Sequence, residues 1–358
     1  MTQVFEPIKV GAWDLPQRFV MAPLTRNRAG AHGVPTDLAV TYYGQRAGAG
    51  LIITEGTQPS AVGQGYLATP GIHSPEQIAG WRAVADEVHA KGGHIVVQLM
   101  HAGRVAHPDN KHGLETVAPS AIAAPGQIVT AAGQVDYVVP RAVETHEVVG
   151  IVADFVHASR SAIEAGLDGV EIHAANGYLP HQFLAPSSNQ RVDEYGGSAK
   201  NRARFTLEVA TAVADAIGAD RVGIRISPAH NVQGALEEDP DDVVATYTHL
   251  VDGLAPLGLA YLSVLADPTS ELIKDLRTRF GGILIANTGF STITQLDDVT
   301  EIVDGGLADL VAVGREFLAN PDLDTRWRTG AALNEPDPET FYGGGAEGYT
   351  DYPALDAS

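Results

Sequence analysis

The strongest constraint on this chain is an alternation of short Val-, Ile- and Leu-rich runs with amphipathic helical patterns. Each run is bounded by Gly, Pro or polar residues, which is typical of parallel strands buried on both faces. The predicted strands are residues 18–24, 51–58, 94–100, 169–174, 222–228, 261–266, 282–289 and 310–318. Eight strands alternating with helices predict an α/β fold of the (β/α)8 TIM-barrel class.

Helical patterns fill the intervals between these strands. The first follows a Ser74 cap, with Pro75 in the first turn and Gln77 completing a capping box. The predicted helices are residues 74–92, 145–166, 198–218, 240–254, 270–280, 292–303 and 321–329. A doubly wound sheet is the alternative, but no strand is followed by a Gly-x-Gly-x-x-Gly or Gly-x-x-x-x-Gly-Lys motif.

The domain organisation is expected to be simple. We expect one domain over residues 1–358, with an excursion at residues 102–145 that is too long for a plain crossover. Within the excursion, residues 128–130 and 135–139 flank a Gly-containing turn, which predicts a β-hairpin over the barrel mouth. The aromatic residues of 341–353 indicate that the tail, residues 332–358, packs back on the barrel.

Composition narrows the function classes. The chain has 23 basic and 44 acidic residues, and its net charge of −21 argues against nucleic-acid or anionic-membrane partners. The absence of cysteine excludes disulfides, thiolate zinc sites and iron–sulfur clusters. The sequence shows neither a signal-peptide pattern nor an apolar run of the ~18 residues that span a membrane, so we expect a cytoplasmic protein.

Polar residues at the carboxyl ends of the predicted strands are the candidates for chemistry, because barrel enzymes react there. None of the five lysines falls at a strand end, which excludes a Schiff-base aldolase, and isolated His and Glu residues do not predict a metal site. The remaining donors and arginines suit a bound cofactor. Gly289, Gly314 and Arg315 follow the last two strands, where barrels bind phosphate.

The strand-end motifs, taken together, resemble the Old Yellow Enzyme family of FMN-dependent ene-reductases, and especially its bacterial N-ethylmaleimide and nitrate-ester reductases. The matching motifs are MAPLTR (21–26), TPGIHSPE (69–76), VQLMHAGR (97–104), EIHAANGYL (171–179), HQFL (181–184), SSNQR (187–191), DEYGG (193–197), NRARF (201–205), GREF (314–317), NPDL (320–323) and FYGGG (341–345). They extend over nearly the whole chain.

The resemblance implies a non-covalent FMN, with NADPH or NADH as reductant. The cofactor-binding residues that it implies are Pro23, Leu24, Thr25, Gly56, Gln98, Arg225, Asn287, Gly289, Gly314 and Arg315. Among these, Thr25 would contact the flavin O4 edge, Gln98 and Arg225 the pyrimidine edge, and Arg315 the phosphate. A cation beside N1 and O2 would stabilise the anionic reduced flavin.

The resemblance also implies the reaction. An alkene conjugated to a carbonyl or nitro group would accept hydride from FMN N5, His173 and Asn176 would bind its oxygen, and Tyr178 would supply the proton. Tyr66, Met100 and Tyr342 would line the substrate pocket. Small electrophilic alkenes are the expected partners, and phenols the expected inhibitors.

Two departures from the family pattern and two alternative functions stand beside this prediction. The donor pair is His-Asn where the nitrate-ester reductases have His-His, and Met100 replaces a Trp found in many relatives, which predicts a wider pocket. One alternative function is an FMN-dependent α-hydroxy-acid oxidase, although the strand-four motif does not suit it. The other is a flavin- or phenol-binding sensor without turnover.

Overall fold

The strands are short and almost wholly buried. The structure, a computed structural model, describes residues 2–290 and 292–355. Its strands are β1 (Ile8–Val10), β2 (Trp13–Leu15), β3 (Phe19–Met21), β4 (Ile52–Ile53), β5 (Ile95–Leu99), β6 (Val117–Ala118), β7 (Gln127–Thr130), β8 (Gly133–Asp136), β9 (Arg141–Ala142), β10 (Gly169–Ala174), β11 (Val222–Ile226), β12 (Tyr261–Leu265), β13 (Leu284–Asn287) and β14 (Leu310–Val313).

The helices connect these strands along the outside. They are α1 (Asp37–Gln45), α2 (Pro75–Ala90), α3 (Thr145–Glu164), α4 (Leu179–Leu184), α5 (Ala199–Ile217), α6 (Pro240–Leu254), α7 (Glu271–Phe280), α8 (Leu296–Asp304), α9 (Arg315–Ala319) and α10 (Leu323–Thr329). At the start of α2, the Ser74 and Gln77 side chains form the predicted capping box.

Eight parallel strands close into a barrel in the order β10, β11, β12, β13, β14, β3, β4, β5. The predicted (β/α)8 class is therefore confirmed. Residues of neighbouring strands are in register, and inward-facing side chains from several strands meet at one level, as in other barrels. The outer faces of the strands pack on the helices in one large apolar core.

A hairpin lies against the opposite end of the barrel from the candidate site. β1 and β2 pair in antiparallel fashion, and Trp13 is buried with Tyr261 in a second apolar cluster. Gly11, at φ +51°, lies so near the chain that an added Cβ would be 2.1 Å from the Asp220 carbonyl oxygen. This turn therefore requires glycine.

The excursion contains two small sheets. β6 pairs with β9, and β7 pairs with β8 in a hairpin closed between Thr130 and Gly133. The second arm of the hairpin was predicted at residues 135–139, but the strand is Gly133–Asp136. Gly133, at φ +107°, already pairs with Thr130, so the strand begins directly after the turn.

Three other predicted boundaries were wrong. The predicted strand 310–318 ends at Val313, and its apolar continuation is the buried helix α9. Of the predicted strand 51–58, only Ile52–Ile53 forms a strand. Thr57 and Gln58 form isolated β-bridges. The predicted helix 292–303 begins at Leu296, where Gln295 and Asp298 form its capping box. In the first case the apolar run outlasts the strand, so composition did not mark where it ends.

The Tyr349 ring in the tail is fully buried and stacks on Tyr42 of α1, with ring centroids 4.1 Å apart. Within residues 2–290 and 292–355, no helix is both long and apolar enough to cross a membrane.

Candidate active site

The polar ends of β5, β10 and β11 meet inside the barrel. The register places His173 beside Arg225, and Glu171 beside Gln98, on neighbouring strands. All four side chains are buried, at 4% exposure or less. Because alternate residues of a strand share a face, Glu171 and His173 point to the same side of β10. The barrel therefore concentrates the predicted polar residues of three strands at one place.

His173 and Asn176 form a pair of buried polar groups without complete protein partners. His173 Nδ1 and Asn176 Oδ1 are buried and accept or donate no hydrogen bond within the described part of the chain. Burial, Arg225 and His181 lower the pKa of His173 well below its usual value, so its imidazole is neutral. Asn176 adopts φ +57°, a left-handed conformation that Asn tolerates better than most residues.

The Tyr178 hydroxyl lies 3.0 Å from the Tyr66 hydroxyl, and either can donate the hydrogen bond. The Tyr178 ring contacts the edge of His173, with centroids 4.9 Å apart. Burial raises the pKa of both phenols, that of Tyr66 well above its usual value. Both side chains are therefore protonated near neutral pH and can act as proton donors.

Gln233 is a residue of this site that the sequence did not reveal. Its side chain interacts with both hydroxyls, and that interaction lowers the pKa of Tyr66 and of Tyr178 against the larger effect of burial. It lies in the loop after β11 at φ +56°, within a segment where Ala229 and Asn231 are also left-handed. Only the tertiary path of this loop brings Gln233 over β10.

Glu171 was also missed as a functional position. Gln98 Nε2 donates to Glu171 Oε1 at 2.7 Å, and the Tyr261 hydroxyl donates to Oε2 at 3.1 Å. This arrangement orients the Gln98 amide and leaves its oxygen available. Arg225 Nε is buried without a partner, and burial lowers the pKa of this guanidinium. The alternation of β10 marks Glu171 as sharing a face with His173.

The end of β3 presents a less buried strip. Pro23, Leu24 and Thr25 are half-buried, whereas Met21 before them and Arg26 after them are buried. The Arg26 backbone N–H donates to Glu55 Oε2 at 3.1 Å and holds this strip against the end of β4. Burial raises the pKa of Glu55 to about 7.

Gly56 and Met100 interlock. A Cβ at position 56 would lie 2.4 Å from the Met100 sulfur and 3.2 Å from the Met100 Cβ, so glycine makes room for this side chain. Met100 is buried, and it packs in one small apolar cluster with Tyr178. The predicted widening of the pocket by Met100 stays a prediction.

The loops after β13 and β14 lie side by side. Asn287 Nδ2 donates to the Ala312 carbonyl, and the Gly289 N–H donates to Asn287 Oδ1. Arg315 bridges the two loops by donating to the Phe290 carbonyl at 2.6 Å. A Cβ on Gly314 would only just touch Leu24, so this loop adjoins the half-buried strip of β3.

Two arginines hold the tail beside the site, and this contact is called the tail clamp below. Arg26 donates to the carbonyls of Phe341 and Gly348, at 2.9 and 2.7 Å. Arg28 donates to the carbonyls of Thr340, Gly345 and Glu347 at 2.9–3.0 Å. The clamp fixes the segment that carries Tyr342, whose side chain is 69% exposed and close enough to Tyr178 to raise its pKa.

These residues fit a flavin mononucleotide. Buried atoms of His173, Asn176 and Arg225 lack partners, and unsatisfied buried polar atoms are costly unless a ligand pairs with them. A less buried strip at β3 offers a surface for a planar ring, and a glycine loop with Arg315 adjoins it at the position where barrels bind phosphate.

Comparison with known proteins agrees with this geometry. The sequence matches the NADH:flavin oxidoreductase / NADH oxidase family over residues 3–334, and the chain belongs to this family. It is 43% identical to a probable flavin mononucleotide-dependent alkene reductase of Leishmania infantum, over 98% of this chain and 97% of that protein. It is 40% identical to 12-oxophytodienoate reductase 2 of Arabidopsis thaliana, over 98% and 96%.

Solved structures give the same answer. Morphinone reductase superposes with a TM-score of 0.92 at 46% identity, covering 99% of this chain and 97% of that one. The old yellow enzyme homologue from Zymomonas mobilis superposes with a TM-score of 0.93 at 39% identity, covering 99% and 100%. The family expected from the strand-end motifs is therefore confirmed, and the hydroxy-acid oxidase and sensor alternatives are not favoured.

Proposed function

We propose that His173 and Asn176 bind the oxygen of an activated alkene at this site and that Tyr178 protonates its α-carbon. The chain is a flavin-dependent oxidoreductase that reduces activated C=C bonds with a nicotinamide reductant. The finer proposal, resting on residue geometry, is that the substrates are α,β-unsaturated carbonyl or nitro compounds and that phenols bind as inhibitors.

The observation that carries the proposal is that the His173 and Asn176 side chains beside Tyr178 have no hydrogen-bond partner in the described part of the chain, which leaves the imidazole N–H and the Asn176 Nδ2 amide free to donate. Charge develops on the carbonyl or nitro oxygen during hydride addition. Two preorganised N–H donors aimed at that oxygen stabilise the charge, and each such donor is worth ~2.7–4 kcal/mol. A neutral imidazole is suited to this role because it donates without adding a full charge to a phenol-binding site.

Proton delivery follows from the two tyrosines. The high pKa of Tyr178 keeps its proton in place until a carbanion-like centre forms, when general acid transfer becomes favourable. Its hydrogen-bond partner at 3.0 Å, the Tyr66 hydroxyl, can then return a proton to it. The Gln233 side chain adjoins the pair and lowers the pKa of both hydroxyls.

The cofactor would be held by residues of several strands. Gln98 and Arg225 would pair with the pyrimidine edge, Thr25 with the opposite edge, and Arg315 with the phosphate. When bound, FMN supplies the hydride-transfer chemistry between the nicotinamide and the alkene. Glu171 orients Gln98 and partly balances the Arg225 charge, since it lowers the cost of burying that cation.

We also propose that residues 1–358 act as one FMN-binding domain in the cytoplasm. Support for the domain comes from the excursion, whose Ala124 and Tyr137 pack with Met100 and Tyr178, and from the tail clamp. The net charge of −21 supports small molecules, and not nucleic acid, as partners.

One experiment tests the proposal. Protein purified under native conditions should be yellow and should release FMN on denaturation. Oxidation of NADH or NADPH under anaerobic conditions should depend on 2-cyclohexenone, with cyclohexanone as the product. Colourless protein that does not take up FMN, or flavin reduction without any reoxidation by the enone, would contradict it.

A further inference from the structure

The basic residues around the open end of the barrel are few. The loops after the barrel strands, together with the strand ends and the tail, contain Arg26, Arg28, Arg104, Lys111, Arg141, Arg191, Arg225 and Arg315. Arg225 and Arg315 are assigned to the flavin in the proposed function. The remaining six decide whether a second phosphate group can be recognised here.

Four of these six are buried and occupied. Arg26 and Arg28 form the tail clamp. Lys111 is 1% exposed and donates to the Val62 carbonyl at 3.0 Å. Arg104, also 1% exposed, donates to the Ile122 carbonyl at 3.3 Å. None of these cations can reach a ligand on the surface without breaking the fold around it.

The other two cations, Arg141 and Arg191, are paired with carboxylates. Arg141 donates to Glu115 at 2.8 Å and to Glu147 at 2.7 Å, so both sides of its guanidinium are engaged. Arg191 pairs with Asp193 and donates to the Pro119 carbonyl. In both cases the local charge of the cluster is already neutral or negative.

The loops after β4, β11, β12 and β13, together with the tail, contain no lysine or arginine. Residues 47–81, 226–273, 280–314 and 329–358 have no lysine or arginine at all. The loop after β11 contributes the exposed Glu238, and the tail contributes Glu335, Asp337, Glu339 and Glu347. A dinucleotide that extends from the flavin toward the loop after β11 or toward the tail therefore meets exposed carboxylates, whereas the loops after β4 and β13 offer it no exposed carboxylate, lysine or arginine.

Two lysines lie close to these loops but in helices. Lys274, near the start of α7, pairs with Glu271 at 2.8 Å. Lys200, near the start of α5, lines a groove of about 560 Å³ on the outer flank, among Val149, Asp215 and His249. That groove runs along helices on the outside of the barrel and is separate from the mouth.

The charge pattern discriminates between the two nicotinamide dinucleotides. NADPH differs from NADH by a 2′-phosphate, and proteins accommodate this group with an arginine or a similar cation. The nicotinamide must stack at the flavin, so the adenosine end has to lie across the loops described above. Whichever of these loops it crosses, no lysine or arginine outside the flavin site is both exposed and without a carboxylate partner there, within residues 2–290 and 292–355.

We propose that this site prefers NADH to NADPH as its reductant, an inference that rests on the proposed function. The 2′-phosphate would find no compensating charge-assisted hydrogen bond, and beside the loop after β11 or the tail it would also face carboxylates. The missing bond corresponds to a preference of about 10- to 100-fold. Because exposed charges are screened by salt, the preference should be largest at low ionic strength and should narrow as salt is added.

Anaerobic stopped-flow measurement of flavin reduction in the holoenzyme, with each nucleotide in turn, tests the inference. We expect the ratio of reduction rate to apparent Kd to favour NADH by about 10-fold or more. An equal or higher ratio for NADPH would overturn the inference alone. Failure of both nucleotides to reduce the flavin would instead overturn the proposed function.

Charge variants localise the effect. Glu238→Arg, in the loop after β11, and Gln134→Arg, in the excursion hairpin, place a cation in two different loops at the mouth. At least one of them should raise the efficiency of NADPH about 10-fold and leave NADH unchanged. Asp215→Arg, exposed on the outer flank, is the matched control. An equal gain in this control would overturn the local explanation.

Discussion

Two polar clusters at the same end of the barrel differ in how completely they are satisfied. The tail clamp directs most of its guanidinium N–H groups to backbone carbonyls and leaves Arg26 Nη1 without a partner, and both cations also lie over the Tyr349 ring. The cluster of His173, Asn176 and Arg225 leaves buried atoms without partners. Each unsatisfied buried group costs about 1–3 kcal/mol. The first cluster therefore holds the tail, and the second is the proposed ligand-binding cluster.

The largest expected effect is on the rate of alkene reduction at the proposed ligand-binding cluster. Tyr178→Phe removes the proposed proton donor but keeps the ring that packs on His173. The oxidative half-reaction with 2-cyclohexenone should slow by about 10²–10⁴-fold, the usual contribution of a general acid. Flavin reduction by NADH should change little. Stopped-flow measurement of the two half-reactions separates them.

Tyr66→Phe is the matched control for that variant. It removes the hydrogen-bond partner of Tyr178 and retains the donor itself, so the oxidative half-reaction should slow by no more than about 10-fold. Equal slowing of both half-reactions by Tyr178→Phe would remove the proton-donor assignment.

The next largest effect is expected at the two residues proposed to bind the substrate oxygen. His173→Ala should lower the rate of enone reduction by about 10²–10³-fold, because one of two preorganised donors is lost. Binding of a simple phenol, followed by the change in the flavin spectrum, should weaken in parallel. Asn176→Ala should act in the same direction. Unchanged phenol affinity in both variants would place the anion site elsewhere.

At the tail clamp, the expected effect is on stability. Arg28→Met leaves several tail carbonyls without donors, and the free energy of unfolding should fall by about 3 kcal/mol. Thermal or urea denaturation of the holoenzyme measures this change. Arg160→Met, exposed on α3, should leave stability unchanged. If Arg28→Met unfolds like the wild type, the clamp does not hold the tail.

The smallest effect concerns Glu55, which links the clamp to the strip at β3. Burial raises its pKa from 4.5 to about 7, so the folded state binds a proton more tightly than the unfolded chain. The stability from this proton is fully present below the unfolded pKa and is lost as pH rises through about 7. The expected loss is about 2 kcal/mol between pH ~5 and pH ~8.

Glu55→Gln should remove this slope, because a neutral amide does not titrate. Denaturation curves measured at several pH values give the free energy of unfolding of both proteins. That of the wild type should fall between pH ~5 and pH ~8, and that of Glu55→Gln should not. A wild-type protein whose stability rises over the same interval would contradict the assigned direction.

Much of the fold could be predicted from the sequence, and the failures have physical causes. Buried parallel strands are continuous apolar runs, which is why all eight were found. The missed helix α1 contains Thr41, Tyr42 and Tyr43, residue types that favour strands. The missed helix α4 is buried on every side, so it has no amphipathic pattern to detect.

The candidate site was predictable where it follows strand ends and motifs, as at His173, Asn176 and Tyr178. Glu171 was available from the alternation of β10 but was not singled out. Gln233 was not available, since it reaches the site only through a loop with several left-handed residues. The burial of Tyr66 against Tyr178, more than 100 positions away, likewise depends on tertiary structure.

The interlock of Gly56 with Met100 makes these two positions epistatic. A methyl group at 56 collides with the thioether, so alanine becomes acceptable there only once the neighbour has been shortened or has moved. Shortening the side chain at 100, in contrast, opens space and meets no such barrier. Laboratory evolution of this enzyme toward bulkier substrates therefore has a preferred mutational order, with position 100 changed before position 56.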